Sequence, residues 1–118
     1  FAENRLFPDH VVYCGPKSLF LEYIDPGFCL ARNISQGWET FVKNNGYAPK
    51  VILMKNHGVI TVGPTPDHVL SSMHMIVKAA EVFLGANNLG KVIFMDNNEV
   101  DRIAHREDEA YRQKQIDK

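Results

Sequence analysis

Lys50-Val51-Ile52-Leu53-Met54-Lys55-Asn56-His57-Gly58-Val59-Ile60-Thr61-Val62-Gly63 is the stretch from which the fold is read. Its first half is a continuous apolar run between two lysines. Such a run offers no polar face to water, so it predicts a central strand covered on both sides. Asn56-His57-Gly58 interrupts it, and Val59-Ile60-Thr61-Val62 resumes strand character up to Gly63-Pro64. Asn and Gly tolerate positive φ, so the interruption predicts a hairpin or sharp bend with His57 inside the turn.

Downstream, Thr65-Pro66-Asp67 opens a helix: a hydroxyl cap, a proline at the first position and a carboxylate at the positive end of the dipole. Val69, Met73, Ile76, Val77, Ala80, Phe83 and Leu84 recur at helical spacing, with Gly85 as the expected stop. Lys91 to Met95 reads as a short strand. From Asn97 to Lys118 the chain forms a polar helical tail, with Val100, Ile103 and Ala104 marking an amphipathic turn or two and residues 107–118 solvated.

Upstream, His10 to Cys14 is rich in β-branched and aromatic residues and reads as a strand ending at Gly15-Pro16, paired in a hairpin with Ser18 to Tyr23. Asp25-Pro26 supplies an N-cap and a first helical residue. Leu30, Ile34, Trp38, Phe41 and Val42 follow at helical spacing, and Asn45-Gly46 ends the helix. Gly37 within it costs about 1 kcal/mol relative to Ala, which a close packing contact would explain. Strands and helices alternate, so the class is α/β or α+β, with helices covering a sheet.

The 118 residues make a single domain or part of one. Hydrophobic residues at 45%, charged residues at 23% and a net charge of -1 exclude intrinsic disorder. The scattered basic residues leave no footprint for nucleic acid or an anionic membrane. The apolar runs are too short to predict a transmembrane helix. Cys14 and Cys29 make no disulfide framework; both are expected to be buried free thiols of a cytoplasmic protein. The chain opens Phe1-Ala2-Glu3, with no initiator Met and no signal-peptide pattern, and is read as a piece of something longer.

Chemistry is sought first among His10, His57, His68, His74 and His105. None forms a His-x-His or His-x-x-x-His pair, and no Cys-x-x-Cys occurs, so local spacing spells no complete zinc site. His57 stands at the end of the apolar strand, where a side chain can project into a cleft from a rigid support. From spacing alone it reads first as a turn histidine with no ligand. His10 is expected at an exposed strand edge, His68 and His105 on the surface, and His74 off the face of His68. Phosphate loops and a Gly-x-Ser-x-Gly elbow are absent. Glu107-Asp108-Glu109 reads as a solvated helix face.

The strand, Asn56-His57-Gly58, strand, Thr-Pro-capped helix order, with Asp25-Pro26-Gly27-Phe28-Cys29-Leu30-Ala31 and Pro49-Lys50-Val51 before it, resembles the class II aldolase/adducin family. The likeness runs from about Pro8 to about Gly85 and is nearest to the aldolase part of rhamnulose-phosphate aldolase/alcohol dehydrogenase fusions. It implies a three-layer α/β/α fold around a largely antiparallel sheet, of which this chain is the C-terminal portion, and a homo-oligomer, often a tetramer. It also implies a divalent metal, usually zinc, held by three histidines, and reversible retro-aldol cleavage of a sugar phosphate, with the epimerase and decarboxylase reactions of the same superfamily left open. The third of those histidines maps onto His57, with Asn56 and Gly58 shaping the turn. The other two form an upstream His-x-His, which this chain lacks, as it lacks the matching acid/base carboxylate. Lys55 is a candidate phosphate contact or a solvent-facing strand-end lysine. Adducin-like members keep Asn-His-Gly as non-catalytic assembly modules, so the resemblance leaves both an enzyme and a binding module open.

Overall fold

The computed structural model describes residues 1–116. In chain order the elements are α1 (Pro8–Cys14), β1 (Leu19–Leu21), α2 (Phe28–Asn45), β2 (Val51–Met54), β3 (Gly58–Thr61), α3 (Pro66–Leu89), α4 (Asn97–Ala104) and α5 (Glu107–Ile116). The strands form one sheet in the order β1-β2-β3.

The sheet is mixed. β1 runs parallel to β2, with Leu19 opposite Ile52 and Leu21 opposite Met54. β2 runs antiparallel to β3, with Ile52 opposite Ile60 and Leu53 opposite Val59. The expectation of a largely antiparallel sheet is therefore corrected. Its source is the parallel β1–β2 pair, which is connected through α2 rather than by a tight turn.

β2 is central and buried on both faces, as its unbroken apolar run demands. Its side chains alternate. Ile52 and Met54 join Leu19, Leu21 and Ile60 against Phe41, Ile34 and Trp38 of α2. Val51 and Leu53 join Val59 on the other face, against Cys14 of α1 and Ile76, Met73 and Met75 of α3. A smaller core between α1 and α4 holds Val11, Val12, Val100 and Ile103.

Several elements differ from the sequence expectation. His10 to Cys14 lies in helix α1, not a strand. Pro8 occupies the first turn with Asp9 behind it, and Phe7 before the proline is extended. Burial of His10, Val11, Val12 and Cys14 against two other helices outweighs β-branched propensity there. With no strand at 10–14, the predicted hairpin is absent. α2 begins at Phe28 behind Gly27, not at Pro26. The Asp25 carboxylate accepts from the Tyr23 hydroxyl at 2.9 Å instead of capping the helix. α3 runs past Gly85 to Leu89 and stops at Gly90, which has φ 155°. Residues 91–95 form no strand. The Met95 amide donates to the Arg5 carbonyl at 2.8 Å, and Met95 packs on the α1–α4 core. The tail is two helices, and Val100 and Ile103 of α4 are buried; Asp117 and Lys118 lie outside the described residues.

Arg5, which no sequence pattern singled out, is fully buried. Nε donates to the Gly15 carbonyl at 2.7 Å and Nη2 to Ser18 Oγ at 2.9 Å. Nη1 donates to the carbonyls of Ala2 and Asn4, both at 3.1 Å. The guanidinium thus ties the N-terminal segment to the α1–β1 connection. Burial pulls its pKa down to about 10.

Candidate functional site

Because β1 and β2 are parallel, their C-terminal ends emerge at one edge of the sheet. In mixed and parallel sheets that edge is where ligands are held. Glu22 and Tyr23 leave β1 there, and Lys55-Asn56-His57 leaves β2. The turn is tied from both sides. The Lys55 amide donates to the Leu21 carbonyl at 3.0 Å, and the His57 amide to the Met54 carbonyl at 3.1 Å.

Asn56 has φ 55°, and among the described residues it alone departs from negative φ without being glycine. Asn accepts this left-handed conformation at less cost than most residues. Gly58 does not share it. A Cβ placed on Gly58 would meet nothing within 4 Å. A side chain there would enter open space, and the positive φ of the turn falls on Asn56.

Asn56, His57 and Gly58 are all exposed. Lys55 Nζ lies 3.1 Å from Glu22 Oε2 in a solvent-exposed pair. No sequence pattern singles out Glu22 or Tyr23. The approach of Glu22 to Lys55 depends on the parallel β1–β2 pairing, which a hairpin reading conceals.

The other histidines are dispersed. His10 is completely buried on α1, between the rings of Phe1 and Phe7, and not at a strand edge. His10 Nδ1 accepts from the Leu6 amide at 3.3 Å. Burial first, and the Arg5 charge second, push its pKa down to about 3. His68 is buried in the first turn of α3, correcting its surface placement; a Cβ on Gly63 would come within 2.5 Å of its Nδ1. His74 and His105 are exposed, and His105 Nδ1 sits 2.8 Å from the Asp101 carbonyl. Cys14 is buried, and burial raises its thiol pKa to about 11. Cys29 is exposed, against expectation, because it sits on the solvent side of the first turn of α2.

Among the described residues no group of three His, Cys, Asp or Glu side chains is placed to hold a metal ion. His57 offers one exposed imidazole on a rigid turn, whereas a catalytic zinc site takes three protein donors. The described residues by themselves do not fit a complete metal centre. A depression of about 660 Å³, lined by Tyr47, Lys50, Asp101 and His105 among others, lies at the opposite end of β2.

A mixed α/β sheet presenting an Asn-His-Gly turn at its strand ends is the arrangement of a class II aldolase-like domain. The chain belongs to that family: the group described as Class II Aldolase and Adducin N-terminal domain matches residues 4–84. The chain is similar to the uncharacterised oxidoreductase YuxG of Bacillus subtilis (strain 168), with 31% identity over 70 residues, 59% of this chain and 9% of that protein. Its fold is similar to the crystal structure of YgbL, a candidate aldolase/epimerase/decarboxylase from Escherichia coli. The TM-score is 0.65 at 15% identity, over 87% of this chain and 47% of that one. The chain thus spans under half the length of either relative.

Proposed function

We propose that this chain is the part of a class II sugar-phosphate aldolase that carries the Asn-His-Gly turn, and that His57 donates one imidazole to a divalent metal, zinc by preference. The observation that carries the reading is His57 itself: an exposed imidazole at the C-terminal edge of a buried parallel strand pair, clamped by two backbone hydrogen bonds. The remaining donors and the acid/base carboxylate would come from polypeptide other than these 118 residues.

A divalent cation at such a site supplies charge stabilisation to the ketose oxygens as the carbon–carbon bond breaks. The chain's own contribution is positional. The Lys55–Leu21 and His57–Met54 backbone bonds fix the turn, and Asn56 sets its direction. Lys55, drawn towards Glu22, is the nearest cation in sequence for a substrate phosphate. A homo-oligomer and the full three-layer α/β/α domain belong to the same proposal.

The test is retro-aldol cleavage of a panel of ketose 1-phosphates by the longest native polypeptide containing this chain. Release of dihydroxyacetone phosphate that chelation removes, that added divalent metal restores and that His57→Ala abolishes supports the reading. Cleavage that is indifferent to His57→Ala contradicts it.

A further inference from the structure

We propose that the depression of about 660 Å³ at the N-terminal end of β2 is a binding site for a small carboxylic acid that has an apolar body and a hydroxyl or ammonium donor. Its volume falls in the range of roughly 300–1,000 Å³ that small-molecule sites occupy. It is enclosed by α1 and the Gly15-Pro16 turn, by residues 45–48 between α2 and β2, and by α4 with its C-cap His105. Lys50 stands before β2 and Lys55 after it, so about 16 Å of extended chain parts the depression from the Asn-His-Gly turn. No part of α3 lines it. By length and mean hydropathy alone that helix could cross a membrane, a departure from the sequence expectation, but His68 and Ser72 pack it into the fold.

The chemistry of the occupant follows from the lining. Val11, Val12 and Ile103 are buried apolar side chains and suit a hydrocarbon body. One wall is cationic. Lys50 Nζ donates to the Val12 carbonyl at 3.3 Å, and the Lys50 stem runs along Gly15, 3.9 Å from where a Cβ on that glycine would stand. Behind Gly15 lies Arg5, fully buried, whose acceptors are the carbonyls of Ala2, Asn4, Cys14 and Gly15 and the Ser18 hydroxyl. All are neutral, and a fully buried arginine without a carboxylate partner is rare. Its charge and that of Lys50 favour an anion at this wall.

The α4 wall carries the exposed Asp101 carboxylate, which accepts from a hydroxyl or ammonium group and strengthens such a bond by its charge. Tyr47 also lines the depression. Burial pushes its hydroxyl above the ordinary pKa, so it stays a neutral donor, and both Arg5 and Asp101 act on it. An apolar protein segment laid into the depression would strip water from Lys50 and Asp101 and return no hydrogen bonds, which is costly. A solute that brings its own carboxylate and donor meets both.

Isothermal titration calorimetry tests the proposal on the longest native polypeptide that contains this chain, with probes built on one skeleton: free L-phenylalanine, phenyllactate, phenylpropionate and phenethylamine. The first two should bind with micromolar to millimolar Kd. Phenylpropionate, which lacks the donor, should bind about tenfold more weakly, and phenethylamine, which lacks the carboxylate, should give no heat. Tighter binding of phenylalanine assigns the site to amino acids, and tighter binding of phenyllactate assigns it to hydroxy acids. Lys50→Ala should weaken both about tenfold, and Asp101→Asn should weaken phenylalanine more than phenyllactate. Ala104→Trp, at an exposed lining position, should fill the depression and abolish binding with an unchanged circular-dichroism spectrum. His57→Ala and chelation should leave binding intact, so the outcome stands apart from the metal reading. No heat from any probe overturns the proposal. So does binding that survives both Lys50→Ala and Ala104→Trp, or phenethylamine bound as tightly as phenylalanine.

Discussion

The Lys55 amide donates to the Leu21 carbonyl at 3.0 Å, across the parallel pair β1–β2 and one residue beyond the last paired position. That bond extends the ladder into the Asn-His-Gly turn. It makes the position of His57 a property of the sheet, because Leu21 is itself held in the core between β2 and α2. Precise placement of a metal-ligating or substrate-facing side chain requires such a support.

The φ of 55° at Asn56 sets the cost of replacing it. Asn56→Ala places an ordinary side chain in the left-handed region and should destabilise the fold by about 1 kcal/mol. Asn56→Gly should be neutral or slightly stabilising. Urea denaturation of the two variants against the parent checks both signs.

Two glycines within helices should respond oppositely to alanine. At Gly37 a Cβ would lie 2.7 Å from Leu21 Cδ2, with both Leu19 methyls at 3.7 Å. Overpacking of roughly 1–3 kcal/mol there outweighs the helix-propensity gain of about 1 kcal/mol, so Gly37→Ala should lower Tm. At Gly85 a Cβ meets nothing within 4 Å, and Gly85→Ala should raise Tm. Thermal melts followed by circular dichroism decide between the two.

His10 should make stability fall in mild acid. Unfolded, it titrates near its ordinary value of 6.5; folded, burial and the Arg5 charge hold it neutral down to about 3. Between those values the unfolded chain binds more protons, so stability rises with pH. The contribution is complete above the unfolded pKa and drains away as pH falls from 6.5 towards 3. Roughly 4 kcal/mol is at stake across that window. Urea midpoints at pH 7, 5 and 4 should drop steeply for the parent and less steeply for His10→Asn, which retains an acceptor for the Leu6 amide.

What the sequence made legible was governed by local rules. The apolar run Val51–Met54, the left-handed Asn56, the Thr65 cap accepting from the His68 amide at 3.2 Å and the Gly46 stop of α2 each follow from a few adjacent residues. A close approach that would explain Gly37 is present, with Leu21 and Leu19 packed where its Cβ would stand. What stayed hidden depends on distant partners. α1 is helical because its apolar side chains are buried by α3 and α4, which outweighs the strand propensity of Val11 and Val12. The parallel β1–β2 pairing hid the approach of Glu22 to Lys55. Arg5 carries no local signature, since its acceptors at Gly15 and Ser18 are ten and thirteen residues away. At the candidate site, His57 was readable from its turn and its family likeness, but the pairing of Glu22 with Lys55 beside that turn was not.

Metal content per subunit of the longest native polypeptide that contains this chain, measured alongside His57→Ala and His74→Ala, tests the central claim most directly. The account predicts about one zinc per subunit, as in a catalytic site with three protein donors, in the parent and in His74→Ala, and its loss in His57→Ala. Unchanged zinc in His57→Ala, or no metal in any form, contradicts it. The latter result would move the chain to the adducin-like assembly reading, with His57 a turn residue alone.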